Sequence, residues 1–152
     1  MNNKETLLTE NIFERIERMV LKKCNTQKSY ENVMHLIKDV LYVPKRLVCI
    51  EAKDLIDLFQ DGGAIQSLDI YIKAEKADRI DELIKLIREK TADGQHINNI
   101  LVYFFFPEEH PLLMGELETF SECIKSFSDG SMIKWGVATH LRKDFRTIVL
   151  LQ

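Results

Sequence analysis

Glycine, proline and cysteine are all scarce, with 6, 3 and 3 among 152 residues. Gly62-Gly63 is the one glycine pair, and neither G-x-G-x-x-G nor G-x-x-x-x-G-K-[ST] occurs, so no phosphate cradle is recognisable. Cys24, Cys49 and Cys123 are odd in number, widely spaced and form no C-x-x-C, which excludes a zinc ribbon and a dithiol redox motif. Free thiols in a reducing cytoplasm are the simplest reading. His35, His96, His110 and His140 are isolated and no H-E-x-x-H occurs, so no metal site is expected. No serine sits in a nucleophile-elbow context. The net charge of −3 argues against nucleic-acid binding through bulk positive charge. The longest apolar run, Ile100 to Phe106, falls far short of the roughly 20 residues of a membrane span. No signal-peptide core precedes it. A soluble, cytoplasmic protein without cofactor, nucleic-acid or membrane partner is expected.

What is present is an ordinary globular balance, 45% hydrophobic and 30% charged. Leu7, Leu8, Ile12, Phe13, Ile16, Met19 and Val20 recur at helical spacing and predict a first amphipathic helix ending near Lys22-Lys23. Ser29 is placed to cap a second, with Tyr30, Val33, Met34, Ile37, Val40 and Leu41 on its apolar face and Pro44 beyond its end. Leu47 to Ile50 is a short apolar segment leading into a helix over 51–59. Asp61-Gly-Gly63 is the strongest turn signal. Leu68, Ile70 and Ile72 alternate with polar partners and predict a strand with one wet face. Ala77, Ile80, Leu83, Ile84 and Ile87 give a further helix, followed by a turn at Asp93-Gly94. Ile100 to Phe106 has no alternation, which predicts a central strand covered on both faces.

A helix through Leu117, Phe120, Cys123, Ile124 and Phe127 follows, then a turn at Asp129-Gly130. Met132 to Ala138 and Phe145 to Leu151 read as an antiparallel hairpin joined by a charged loop containing Arg142, Lys143 and Asp144, with Arg146 in the same exposed basic cluster. The order implies an α/β (α+β) two-layer sandwich. It has a mixed four-stranded sheet with helices packed on it, preceded by an N-terminal helical segment, 1–43, ahead of the main domain, 44–152.

Glu51, Asp54 and Asp57 are the acidic group worth weighing. Three-residue spacing gathers them at the start of the 51–59 helix, where carboxylates favour the positive dipole end. That stabilising role competes with one on a partner surface. Cys49 stands beside these acids, and carboxylates raise a thiol's pKa, which opposes a nucleophilic role. Tyr103, Trp135, His140 and Arg142 are pocket candidates by residue type, with Trp135 better suited to a core and His140 and Arg142 to a solvated loop.

Leu47-Val-Cys-Ile-Glu-Ala-Lys-Asp-Leu55 and its continuation to Gly63 resemble a segment of the bacterial tubulin homologue FtsZ. There the family carries Asn-x-Asp-x-x-Asp, and Cys49, Glu51 and Asp54 fall at the three polar positions. Gly63-Ala64 stands where the family has its glycine and small residue. Lys76-Ala-Asp-Arg79 is similar to its Gly-Glu-Asp-Arg helix opening, and Leu112, Met114, Glu116 and Leu117 to Leu-x-Leu-x-Glu-Val. Ile100-Leu-Val-Tyr103 resembles its Leu-Val-Asn strand. Ser131-Met-Ile-Lys-Trp-Gly136 resembles Ala-Asn-Ile-Ile-Phe-Gly, and Phe145 to Leu150 its final strand. The resemblance covers about residues 28 to 152 and implies the FtsZ/tubulin C-terminal domain, with Ser29 to Val43 as the end of the central helix.

In that family a separate N-terminal domain binds GTP, and the next subunit's acidic loop activates the attacking water. No residues here match the GTP domain, so stand-alone GTP hydrolysis is not expected; the family's C-terminal peptide, which recruits membrane tethers, is likewise expected to be absent. Cys49 in place of an amide hydrogen-bonds weakly, and Glu51 is a methylene longer than Asp. A misplacement of about 1 Å can cost on the order of a hundredfold in rate. The resemblance therefore implies a non-catalytic module that contacts an FtsZ-like partner through Cys49, Glu51, Asp54, Asp57, Gly62 and Gly63, possible consequences being modulation or capping of filaments. A self-associating scaffold, with the first helix as the dimer seam, and a small-ligand-binding or enzymatic sandwich are the alternatives.

Overall fold

A computed structural model describes residues 2–91, 96–127 and 130–152; the side chains of 2–11 and 127 lie outside that description, as do the expected turn at Asp93-Gly94 and residue Asp129 of the next. The order is α1 (Asn2–Lys22), α2 (Gln27–Tyr42), β1 (Lys45–Val48), α3 (Ala52–Phe59), β2 (Gln66–Lys73), α4 (Arg79–Lys90), β3 (Asn99–Phe106), α5 (Met114–Phe127), β4 (Met132–Thr139) and β5 (Asp144–Leu151). The sheet runs β1-β4-β3-β5-β2. It has five strands, not four, because Lys45–Val48, overlapping the start of the apolar segment at 47–50, forms an edge strand. It is mixed: β3 and β4 are parallel, and β1 with β4, β3 with β5 and β2 with β5 are antiparallel.

β3 sits at the centre and is buried along nearly its whole length, as its unbroken apolar run predicts. Leu101, Tyr103 and Phe105 point to one face, where they pack with the buried residues of α1, α2 and α3. Ile100, Val102, Phe104 and Phe106 point to the other, against α4 and α5. Helices on both faces make three layers rather than the expected two. Ile16 and Val20 of α1 are fully buried in the same cluster as Leu101 and Ile148, so α1 and α2 share one core with the sheet. In β2, Leu68, Ile70 and Ile72 are buried while Asp69, Tyr71 and Lys73 are exposed, matching the alternation.

β4 and β5 do not form the expected hairpin. Each lies beside β3 instead, one on either side. A parallel β3–β4 pair needs a crossover, which α5 supplies, and β5 then fills the slot between β3 and β2. Two smaller assignments also change. Thr26, not Ser29, caps α2: its Oγ1 accepts from Ser29 N–H at 3.0 Å. Arg146 is not in an exposed loop but on β5, where its side chain is 11% exposed and pairs with Asp69 and Asp39. Arg142 and Lys143 are exposed as expected. Gly136 is needed for close approach: a Cβ there meets the Tyr103 ring and, at 2.9 Å, Val48 O.

Candidate interaction surface

The acidic group is built by the start of α3. Ile50 is buried and pins the entering chain, while Leu55, Ile56, Leu58 and Phe59 bury the inner face of the helix. Glu51 is the N-cap in extended conformation, and its N–H donates to Asp54 Oδ2 at 2.9 Å. This satisfies one of the donors a helix start leaves open. Asp54 Oδ1 also lies 3.5 Å from Lys134 Nζ on β4. Cys49, Glu51 and Asp57 are exposed. Asp54 ties this group to β4, with Cys49 and Glu51 just before α3 and Asp57 a turn further along it.

Gly62 and Gly63 lie at the opposite end of α3 and have internal partners. Lys23 Nζ donates to Gly62 O. Gln152 Nε2 donates to Gly63 O at 2.9 Å and to Phe59 O at 2.8 Å. A Cβ at Gly62 collides with the Gln152 amide.

Two other segments of the family resemblance, at 76–79 and 112–117, meet in space. Arg79 is 4% exposed and its five N–H donors make five bonds. Nε and Nη2 grip Glu116 Oε2 and Oε1, both at 2.7 Å; Nη1 reaches Ala74 O and His110 O at 3.0 Å; Nη2 also reaches Pro111 O at 2.8 Å. Burial pushes the Glu116 carboxyl up, but the Arg79 bonds, the Leu113 N–H and the Arg79 charge outweigh it and hold it below the usual range. This pair fastens α4 to α5.

Sequence reasoning missed the surface beside the acids. Leu47 and Val48 on β1 and Met132, Ile133 and Trp135 on β4 are exposed. Trp135, expected in the core, is 43% exposed. Its indole, with Ile133, Met114, Leu117, Phe120 and Ile124, lines a groove of about 340 Å³ between α5 and the sheet. The signal was there in Met-Ile-Lys-Trp, a strand start with apolar residues at both parities beside a glycine. Tyr103 is fully buried instead of lining a pocket. Burial pushes its hydroxyl up to about 12, with the Cys49 charge adding and Arg46 opposing. His140 Nε2 donates to Asp144 O at 2.6 Å, and Arg142 holds both Asp144 oxygens, fixing that turn. Among the described residues no cluster of three metal-capable side chains occurs, and no helix is long and apolar enough to cross a membrane.

Solved structures share this architecture. FtsZ of M. jannaschii, in an empty dimer, matches with a TM-score of 0.58 at 16% identity, over 80% of this chain and 38% of that one. The fold is that of the FtsZ/tubulin C-terminal domain. TubZ of Bacillus thuringiensis serovar israelensis, in a GTPγS-form protofilament, matches with a TM-score of 0.64 at 12% identity, over 93% of this chain and 39% of that one. CetZ2 from Haloferax volcanii, in a GTPγS-bound protofilament, gives 0.58 at 14% identity, over 80% and 37%. The chain therefore spans under two fifths of the length of these FtsZ/tubulin-type structures. No protein-family model and no curated protein matches its sequence.

Proposed function

We propose that this chain is a non-catalytic protein-interaction module that docks on an FtsZ-like filament subunit through the β1–α3 face and blocks addition of the next one. The observation that carries the reading is the exposed group Cys49, Glu51 and Asp57 around the capped Asp54, held on a helix whose inner face is buried. Sites built on rigid elements keep their geometry, which docking requires. The structural neighbours named above were solved as dimers or protofilaments, which makes assembly through a shared face a reasonable model for this chain. The cysteine replacing an amide and the longer Glu51 disfavour activation of a water, so docking without turnover is the expected activity. The three free thiols suit a reducing, cytoplasmic setting.

The test titrates the purified protein into a full-length FtsZ-like protein from the same source, following light scattering and GTP turnover together. Substoichiometric loss of both is expected. Asp57→Lys with Cys49→Lys should abolish the effect while leaving Glu51 and Asp54, the two members of the capping box, in place. Unchanged scattering and turnover at high excess would reject the reading. Self-association is the second reading, favoured by exposed Leu47, Met132 and Trp135. A concentration-dependent mass in solution would establish it.

A further inference from the structure

β2 is the outermost strand on its side of the sheet, and among the described residues no strand pairs with its outer edge. The direction of its main-chain groups follows from β5. Gln152 N–H donates to Asn99 O at 3.0 Å and Asn99 N–H to Gln152 O at 3.2 Å, so Gln152 and every second residue before it turn toward β3. The β5 residues between them turn toward β2, where they meet Gln66, Leu68, Ile70 and Ile72. Ser67, Asp69, Tyr71 and Lys73 therefore direct their N–H and C=O groups outward. Among the described residues the one main-chain bond on that side runs from Lys76 N–H to Lys73 O, 3.3 Å.

Native edges are normally blocked by shortness, charge, proline or a bulge. β2 has eight residues, no proline and an unbroken register with β5. β1, at the other end of the sheet, is half as long and irregular. The charges on β2 are Asp69 and Lys73, of opposite sign, with Tyr71 midway between them. That order is its own complement. An antiparallel copy centred on Tyr71 sets Asp69 opposite Lys73 twice, and Ile70 opposite Ile72 on the other face. A centre at Asp69 would oppose two carboxylates, and one at Ile70 would set both charges against neutral residues. Lys73 has no carboxylate partner of its own among the described residues. Asp69 is held by two Arg146 bonds of 2.8 and 3.0 Å, and Arg142 and Arg146 lie 4.9 and 5.3 Å from the Tyr71 ring centre. The edge is thus ordered before any partner arrives, which lowers the cost of pairing. Both guanidiniums are satisfied within the chain, by Asp144 and by Asp69 with Asp39.

We propose that β2 pairs edge to edge with β2 of a second copy, about a two-fold axis at Tyr71, joining two sheets into one. The outward groups of Asp69, Tyr71 and Lys73 supply the main-chain bonds, and the two Asp69–Lys73 pairs select the register. A two-fold interface requires this kind of self-complementarity. A foreign strand is the poorer occupant, because the complement of this edge is the edge's own sequence. The inference does not rest on filament docking. It also differs from self-association through Trp135, which lies three strands away on β4, about 14 Å across the sheet.

The test follows mass and residue-resolved amide exchange across protein concentration. The mass should rise toward that of a dimer. The Asp69, Tyr71 and Lys73 amides should gain ~10-fold or more protection as it does, while Leu68, Ile70 and Ile72, already bonded to β5, stay unchanged. Emission of Trp135, the sole tryptophan, should not move. Lys73→Glu, at an exposed position, sets like charges opposite each other twice and should weaken the dimer by ~10-fold or more. Added salt should narrow that gap. A monomer at every concentration up to about 1 mM overturns the proposal. So does a dimer whose outward β2 amides stay unprotected, one that shifts Trp135, or one that Lys73→Glu leaves as tight as before. None of these readouts involves a filament protein, so this inference and filament docking fail separately.

Discussion

Asp54 and Glu116 occupy equivalent positions in two helices and have opposite surroundings. Each is a carboxylate three residues past a cap, and each accepts the cap's own N–H, from Glu51 at 2.9 Å and Leu113 at 3.0 Å. Each also meets a cation. For Glu116 it is the Arg79 fork at 2.7 Å, with side chains 5% and 14% exposed. For Asp54 it is Lys134 at 3.5 Å, with 39% and 31% exposed. The first pair is walled in by Phe145 and carbonyls, and Arg79 has no donor left. The second remains within reach of an incoming group. Two segments with the same local signature therefore differ in what they leave open, and burial alone separates a brace between helices from a half-exposed pair at the surface.

The contrast can be broken most sharply at Arg79. Arg79→Ala leaves Glu116 short of its partner and should cost about 3–5 kcal/mol, measured by urea unfolding. Arg79→Met with Glu116→Leu should recover most of that loss, because neither charge is then stranded.

Acid sharpens the comparison next. The Glu116 carboxyl lies below its ordinary 4.5 in the fold, despite burial, through Arg79 and Leu113. Its contribution is fully present above that ordinary value and is lost as pH falls through the lower folded one. Asp144 behaves alike below 3.8, chiefly through the Arg142 hydrogen bonds. Wild-type protein should lose stability with acid across this window, and the Arg79→Met, Glu116→Leu protein should show a shallower slope in pH-dependent denaturation.

Asp54→Ala removes a cap acceptor and should cost about 1 kcal/mol. Lys134→Ala, at a half-exposed pair, should cost no more than about 1 kcal/mol by the same assay.

Much of the fold was legible because burial writes itself into spacing. The α2 stripe, the alternation of β2 and the unbroken run of β3 each report how many faces are covered. β1 was missed because Lys45 to Val48 is exposed at every position and carries no alternation. The β4–β5 hairpin was misjudged because neighbours in sequence are the default partners, and only the crossover through α5 reveals that β3 separates them. At the site, the 51–57 acids could be placed on one helix start from spacing alone. Their closeness to Lys134, 80 residues away, could not. Arg146 was misread because its partners Asp69 and Asp39 lie on two other elements.

The place of β5 between β3 and β2 has a kinetic consequence. Both neighbours leave the ribosome before the strand that must be inserted between them. Until residues 144–151 emerge, the apolar run of β3 lacks its antiparallel partner and β2 has no neighbour in the sheet. Closure therefore waits on contacts that are long in sequence, which slows folding and prolongs exposure of a sticky nascent segment. A chain stalled just before Phe145 should be the species most in need of a chaperone.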